Sequence, residues 1–192
     1  MFQKQLKSAF LVFLLLTVIT GIIYPFVITA VAQVFFRHQA DGSVIFKDGK
    51  PIGSSLIGQS FDDPNYFWGR LSATSPVAFN ALASSGSNFG PLNVALRQSV
   101  EARIKLLQNV DPENKSPIPV DLVTASASGL DPHISIAAAL YQVPRVARLR
   151  GIPQEKVAEI VKENTQGRLL GVIGEPVVNV LQLNMALDNY RR

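Results

Sequence analysis

A long uncharged stretch near the N-terminus constrains this chain more than any other feature. From Ser8 to Phe36 there is no Asp, Glu, Lys or Arg, whereas Lys7 precedes the stretch and Arg37 follows it. A bilayer core about 30 Å thick is crossed by roughly 20 apolar residues in a helix. The sequence therefore predicts one transmembrane helix at residues 8–36, with ordinary globular sequence after it.

Five small or polar residues recur at four-residue steps along this apolar stretch: Thr17, Gly21, Pro25, Thr29 and Gln33. Because four residues slightly exceed one helical turn, these side chains form a slanted ribbon on one side of the helix. Small and hydrogen-bonding residues let membrane helices approach each other closely. We therefore predict that the ribbon packs against a partner helix, and that Pro25 kinks the span.

A cleaved signal peptide is an alternative interpretation of the same stretch. Lys4 and Lys7 form a basic start, and Ala30-Val31-Ala32 matches an A-x-A cleavage site. The apolar stretch before that site is longer than the roughly 7–15 residues of a signal core, and it continues to Phe36. A retained anchor is favoured, and a cleaved periplasmic binding protein that begins at Gln33 is the alternative.

The orientation of the span is not decided by charge, since basic residues occur on both sides of it. A short N-terminus followed by a single span is most simply inserted with the N-terminus inside. We therefore expect a single-pass protein of the inner (plasma) membrane. Its predicted parts are a cytoplasmic N-terminus at 1–7, the transmembrane helix at 8–36 and an extracytoplasmic, periplasmic-side domain at 37–192.

Composition excludes several classes of function for the domain. Three basic residues and no acidic ones lie in the first 40 positions, so most of the net charge of +4 belongs to that part of the chain. A nearly neutral domain is a poor partner for nucleic acid. The chain has no cysteine, which excludes disulfides, Cys-ligated zinc and thiol catalysis.

The pattern after the span is typical of one α+β domain. Alternation and turn residues predict strands at 43–46 and 50–57 joined by an Asp48-Gly49 turn, and a further strand at 120–124. Apolar spacing predicts a helix of about 17 residues that begins near Leu92. Ser135 is expected to cap a helix that ends at Gln142, and three prolines are expected to open further helical segments: Pro144, Pro153 and Pro176, the last running to Tyr190.

Residues 58–91 are rich in Gly, Ser, Asn and Pro with interleaved aromatic residues. An ordered connection of this length is usually functional. We therefore predict that it forms a surface for a partner subunit. The candidate residues are Gln59, Asp62, Asp63, Tyr66, Arg70, Asn80, Ser87 and Asn88.

No self-sufficient catalytic centre is evident in the sequence. Ser126, Ser128, Asp131 and His133 are the side-chain types of a serine hydrolase, but they lie within eight residues, and Gly-x-Ser-x-Gly is absent. A membrane-anchored extracytoplasmic hydrolase therefore stays only as an alternative to a structural loop. Paired metal-binding histidines and a phosphate-binding Gly-x-x-x-x-Gly-Lys motif are also absent. We predict no catalytic residue, no metal and no intrinsic cofactor.

Several segments together resemble the C subunit family of the Kdp complex, the bacterial high-affinity potassium-transporting P-type ATPase. They include Tyr-Phe-Trp-Gly-Arg-Leu-Ser-Ala-Thr at 66–74, Gln-Val-Pro-Arg-Val-Ala at 142–147 and Gly-Glu-Pro-Val-Val-Asn-Val at 174–180. Leu71 stands where the family pattern has proline. The remaining matching segments are 53–61, 85–88, 119–135 and the Tyr24-Pro25 pair.

The resemblance implies a non-catalytic accessory subunit of an ATP-driven potassium uptake complex. Its expected partners are a channel-like potassium-binding subunit, a P-type ATP-hydrolysing subunit and a small hydrophobic subunit, besides membrane lipid. The family is held to aid assembly and to act as a catalytic chaperone that raises the pump's affinity for ATP. ATP is expected to act through the complex, since an extracytoplasmic domain cannot touch nucleotide inside the cell; potassium is the transported ion.

Overall fold

The computed structural model describes residues 2–190. They divide between Val44 and Ile45 into two compact units. The first is dominated by one long apolar helix, and the second combines helices and short strands around a hydrophobic core. The predicted class, an α+β domain behind a single N-terminal membrane-type helix, is confirmed.

The N-terminal helix runs without a break from Phe2 to Phe35 and buries none of its residues. It consists of α1 (Phe2–Val18), a π turn (Ile19–Ile23) and α2 (Tyr24–Phe35), after which α3 (Arg37–Ala40) follows. Proline cannot donate a backbone hydrogen bond, and its ring crowds the carbonyl four residues earlier. Immediately before Pro25, the N–H of Tyr24 therefore bonds to the carbonyl of Ile19, five residues back. This π turn lies directly before Pro25, the residue at which the sequence predicts a kink.

The predicted hairpin is confirmed as β1 (Val44–Lys47) and β2 (Lys50–Ser54). Its turn residues Asp48 and Gly49 both have positive φ, at 51° and 74°. This is the geometry whose twist matches that of antiparallel strands, and it explains why the Asp-Gly pair identifies the turn from sequence.

Four helices and a small sheet form the rest of the second unit. The helices are α4 (Val94–Val110), α5 (Ile136–Arg150), α6 (Gln154–Glu163) and α7 (Val180–Asn189). The sheet is antiparallel in the order β3-β5-β4, with β3 at His133–Ser135, β4 at Thr165–Gln166 and β5 at Val177–Asn179. Short 3-10 turns lie at Ala81–Ala83 and Val120–Leu122.

The core of this unit lies among α5, α6, α7 and the central strand β5. The irregular segment 58–91 contributes to it directly, because Phe67 and Trp68 are almost completely buried. Other fully buried side chains come from the regular elements: Leu122, Ile134, Val146, Val157, Val178, Leu183 and Leu187. The long segment is therefore part of the folded core and not a loop laid over it.

Three predictions about secondary structure were wrong. Residues 120–122 form a 3-10 turn instead of the start of a strand, and the Asp121 carboxylate accepts from the backbone N–H and hydroxyl of Ser135. Pro144 lies inside a continuous α5 instead of opening a new helix; it has no N–H to donate to the carbonyl of Leu140, a residue that is 47% exposed. Residues 177–179 pair as β5, so the last helix starts at Val180.

Candidate functional site

Two side-chain amides hold the segment 58–91 to the helices. Asn184 of α7 accepts from the N–H of Phe67 at 2.9 Å and donates to its carbonyl at 3.0 Å. Gln142 of α5 does the same for Trp68, at 2.8 and 3.0 Å. All four residues are buried. Each amide satisfies one donor and one acceptor of the extended backbone, as a neighbouring strand would do.

Two guanidinium groups approach the indole ring of Trp68. The Arg145 guanidinium is 4.8 Å from its ring centroid and that of Arg103 is 5.0 Å away. Arg145 is only 2% exposed and donates to the carbonyl of Pro64 and to Gln142 Oε1. Burial lowers the pKa of Arg145 to about 10, so the group is still protonated at neutral pH. Arg145 therefore remains cationic against the ring, which is a favourable arrangement.

The outer edge of the same segment is fixed by Asp63, Tyr66 and their partners. Asp63 Oδ1 accepts from the backbone N–H of Asn65 at 2.8 Å and from its side-chain amide at 2.7 Å, and these bonds lower the pKa of Asp63. The Tyr66 ring packs under the Arg150 guanidinium at 4.5 Å. Arg150 and the Tyr66 hydroxyl both bond to Asp188 of α7, at 2.9 and 3.3 Å.

Arg70 joins the segment to the loop before β3. Its Nη1 lies 3.0 Å from Asp131 Oδ2, and Asp131 Oδ1 accepts from the backbone N–H of His133 at 3.0 Å. Burial raises the pKa of Asp131, but the bonds from His133 and Arg70 outweigh it, so the pKa is lowered overall. Next to Arg70, Leu71 bridges to Ala125 and its carbonyl accepts from Ser126. A carbonyl is also present in proline, so this bond is compatible with the family pattern.

The geometry gives no support to the hydrolase alternative. His133 Nδ1 lies 3.3 Å from Asp131 Oδ1, which would suit a base and its orienting acid. However, Ser126 Oγ is buried without a hydrogen-bond partner, and Ser128 Oγ accepts from the N–H of Leu130. Within residues 2–190, no recorded hydrogen bond links either serine to His133. The same residues contain no cluster of three or more His, Cys, Asp or Glu side chains suited to a metal ion.

The eight residues predicted for the partner surface do not form one site. Gln59, Asp62 and Arg70 line a common cavity of about 140 Å³. Asp63 and Tyr66 belong to the edge beside Arg150 described above. Asn80 caps the 3-10 turn by accepting from the N–H of Leu82 at 3.1 Å. Ser87 is half-buried, and Asn88 is exposed with a φ of 52°.

On the N-terminal helix, the five ribbon residues are exposed, and the hydroxyls of Thr17 and of the neighbouring Thr20 bond within the helix. Thr17 Oγ1 donates to the carbonyl of Phe13 at 2.8 Å, and Thr20 does so to Leu16 at 2.7 Å. A Cβ added to Gly21 would meet no atom within 4 Å. Gln33 donates to Asp41 Oδ1 at 3.2 Å. The π turn lies between Thr17 and Pro25 and includes Gly21.

Sequence reasoning missed the residues that fix the segment: Gln142, Arg145 and Asn184. The available signal was their position, because each occurs where helical periodicity places core side chains. A buried polar residue is informative, since it must find hydrogen-bond partners. Which partners it finds could not be deduced, because Gln142 and Asn184 are 74 and 117 residues away from theirs in sequence.

Comparison with known proteins is consistent along the whole chain. A sequence model of the family described as "KdpC: K+-transporting ATPase, c chain" matches residues 6–189. The chain is 60% identical over 185 residues to the potassium-transporting ATPase KdpC subunit of Herpetosiphon aurantiacus, covering 96% of both proteins. It is 60% identical over 187 residues to the corresponding subunit of Dechloromonas aromatica, covering 97% of this chain and 98% of the relative. It is 58% identical over 186 residues to the KdpC subunit of Ralstonia nicotianae, covering 97% of this chain and 91% of the relative. The chain therefore belongs to the KdpC family, the c chain of K+-transporting ATPases.

Proposed function

We propose that this chain is a non-catalytic accessory subunit that assembles and stabilises an ATP-driven potassium uptake complex. The observation that carries the proposal is the 34-residue apolar helix Phe2–Phe35, which has no buried residue in the isolated chain. In a bilayer such a helix is covered by lipid and by partner helices. A subunit whose largest apolar surface is a membrane helix is well suited to hold other membrane subunits together.

The ribbon of Thr17, Gly21, Pro25, Thr29 and Gln33 is the proposed contact with the channel-like subunit. At Gly21 nothing from the chain itself fills the space beside the backbone. Because the Thr17 hydroxyl already bonds to Phe13, it adds little polarity to the surface that a partner meets. Close helix approach at small residues is the usual basis of association in membranes.

The domain at 37–192 is proposed to lie outside the cytoplasm, with segment 58–91 over the outer potassium entrance of the channel-like subunit. The segment is suited to this because the buried amides of Gln142 and Asn184 hold its backbone in one conformation. In this arrangement the domain does not meet cytoplasmic ATP. Any effect on the pump's affinity for ATP then passes through subunit contacts in the membrane.

Co-purification tests the assembly role. The double change Thr17→Leu and Gly21→Leu places bulk on the ribbon and should remove about 1–2 kcal/mol of helix packing, roughly a tenfold weaker association. Mild detergent extraction should then recover less of the channel-like and ATP-hydrolysing subunits with the tagged chain. Ala30→Leu is the matched control, since it lies about two and a half turns beyond Gly21, on a different face. Undiminished recovery with the double change would count against the ribbon as the contact.

A further inference from the structure

Residues 169–173, here named the apolar loop, hold four large aliphatic side chains in solvent. Leu169 is 66% exposed, Leu170 85%, Val172 75% and Ile173 58%. Single exposed apolar residues are ordinary on protein surfaces, but a contiguous group marks a surface that another molecule covers. Neither of the contacts proposed so far, the ribbon on the membrane helix and segment 58–91, includes this loop.

The apolar loop is held in one shape by its own backbone. Leu169 and Ile173 exchange a pair of N–H to carbonyl hydrogen bonds at 2.9 and 3.0 Å, and Gly171 donates to the carbonyl of Arg168 at 3.1 Å. Leu170 has a φ of 53°, in the left-handed region that a leucine rarely adopts. A loop fixed before binding loses little conformational entropy when it binds.

Charge indicates what kind of surface the loop fits. No charged residue lies between Arg168 and Glu175, and these two pair with each other at 2.9 Å. The loop therefore presents an uncharged aliphatic tip, and the two charges that flank it neutralise each other. Elements that insert into the membrane interface usually carry aromatic or unpaired basic residues, and the tip has neither. An uncharged apolar socket on a protein is its better complement.

We propose that the apolar loop inserts into an uncharged apolar socket on another subunit of the same ATPase complex. The inference rests on the proposed function, because it requires a partner subunit beside the domain. It assigns a second contact, separate from the ribbon on the membrane helix. Within it, Leu170 is the central anchor, since it is the most exposed of the four side chains and stands at the tip.

Cysteine protection tests this contact, because the chain has no cysteine of its own. Leu170→Cys is labelled with a water-soluble maleimide in the whole complex and in the full chain alone, both in nanodiscs of the same lipid. Glu113→Cys, at a side chain that is 85% exposed and lies outside segment 58–91, is the control in both samples. We expect labelling at position 170 to slow at least tenfold in the complex and to match the control in the chain alone.

Two outcomes would overturn the proposal that the apolar loop inserts into a socket on another subunit. Equally fast labelling at position 170 in the complex would show that no subunit covers the loop. Protection in both samples would show that the bilayer covers it instead. In the first case the complex still co-purifies, so the proposed function stands while this inference fails. If the unaltered chain recovers no other subunit in the co-purification experiment, the proposed function and the socket contact fail together.

Discussion

At the scale of single residues, segment 58–91 is held at Phe67 and Trp68 by buried polar side chains and not by backbone hydrogen bonds to a neighbouring strand. Gln142 is the clearest example, because its amide serves Trp68, Ala138 and Arg145 at once. Gln142→Ala would leave a buried donor and a buried acceptor of Trp68 without partners. We predict a loss of about 2–4 kcal/mol in the free energy of unfolding. Trp68 is the only tryptophan, so its fluorescence during denaturation of the full chain in detergent reports on this site.

The control for that measurement is Gln154→Ala, which removes the same amide from an exposed position at the start of α6. It should change the unfolding free energy by no more than about 0.5 kcal/mol. If Gln142→Ala behaves like this control, the amide does not hold the segment in place.

A second prediction at the residue scale concerns Asp131, whose pKa is lowered in the folded state from the ordinary value of 3.8. A lowered carboxylate pKa stabilises the fold above the unfolded pKa, and this contribution is lost as the pH falls through the folded pKa. Asp131→Asn should therefore destabilise the chain by about 1 kcal/mol at neutral pH. The difference from wild type should shrink below pH 3.8. Chemical denaturation of both proteins at several pH values measures this difference in unfolding free energy.

Asp48→Asn is the matched change at an exposed turn carboxylate. Its difference from wild type should stay small across the same pH series. A difference for Asp131→Asn that persists undiminished at low pH would mean that Asp131 acts through packing and not through its charge.

At the scale of elements, the sequence was informative wherever the signal was local. The Asp48-Gly49 hairpin, the periodic helix α4 and the Ser135 cap of α5 each depend on residues close together in the chain, and each was predicted. Strand β5 was missed because its three residues form a strand only by pairing with β3 on one side and β4 on the other. Both partners lie in other segments of the chain, so no local pattern indicates the pairing. The continuity of α5 through Pro144 likewise depends on tertiary packing that overrides a local helix breaker.

The helix caps give an element-scale prediction. Asn93 caps α4 from an exposed position, whereas the buried Asn179 caps α7 and also donates to the carbonyl of Ser55 at 2.8 Å. Asn93→Ala should cost about 1 kcal/mol of unfolding free energy. Asn179→Ala should cost about 2–3 kcal/mol, because it removes the cap and also the hydrogen bond from its amide to the carbonyl of Ser55. Chemical denaturation of the two variants compares them directly.

Asn179→Ser separates the two roles, since serine keeps the capping oxygen but is too short to replace the amide bond to Ser55. Its effect should fall between the two alanine variants. Equal losses for Asn93→Ala and Asn179→Ala would indicate that the bond to Ser55 contributes nothing to stability.

At the scale of the whole molecule, the proposed position of segment 58–91 over the potassium entrance depends on which side of the membrane the domain lies. With the N-terminus inside, segment 58–91 and the apolar loop can meet only the outer surfaces of partner subunits. Charge does not decide this, because basic residues flank the helix on both sides. The absence of cysteine makes the topology directly measurable.

We predict that Glu113→Cys, at a side chain 85% exposed, reacts with a membrane-impermeant maleimide in intact spheroplasts. Lys4→Cys should react only after the membrane is permeabilised, because the proposed topology places residues 1–7 inside. Labelling both variants in permeabilised membranes controls for reactivity. The reverse pattern would place the domain in the cytoplasm, where it could reach ATP. The cap over the outer potassium entrance would then be excluded, and a direct effect on nucleotide binding would become the better explanation of how this subunit acts.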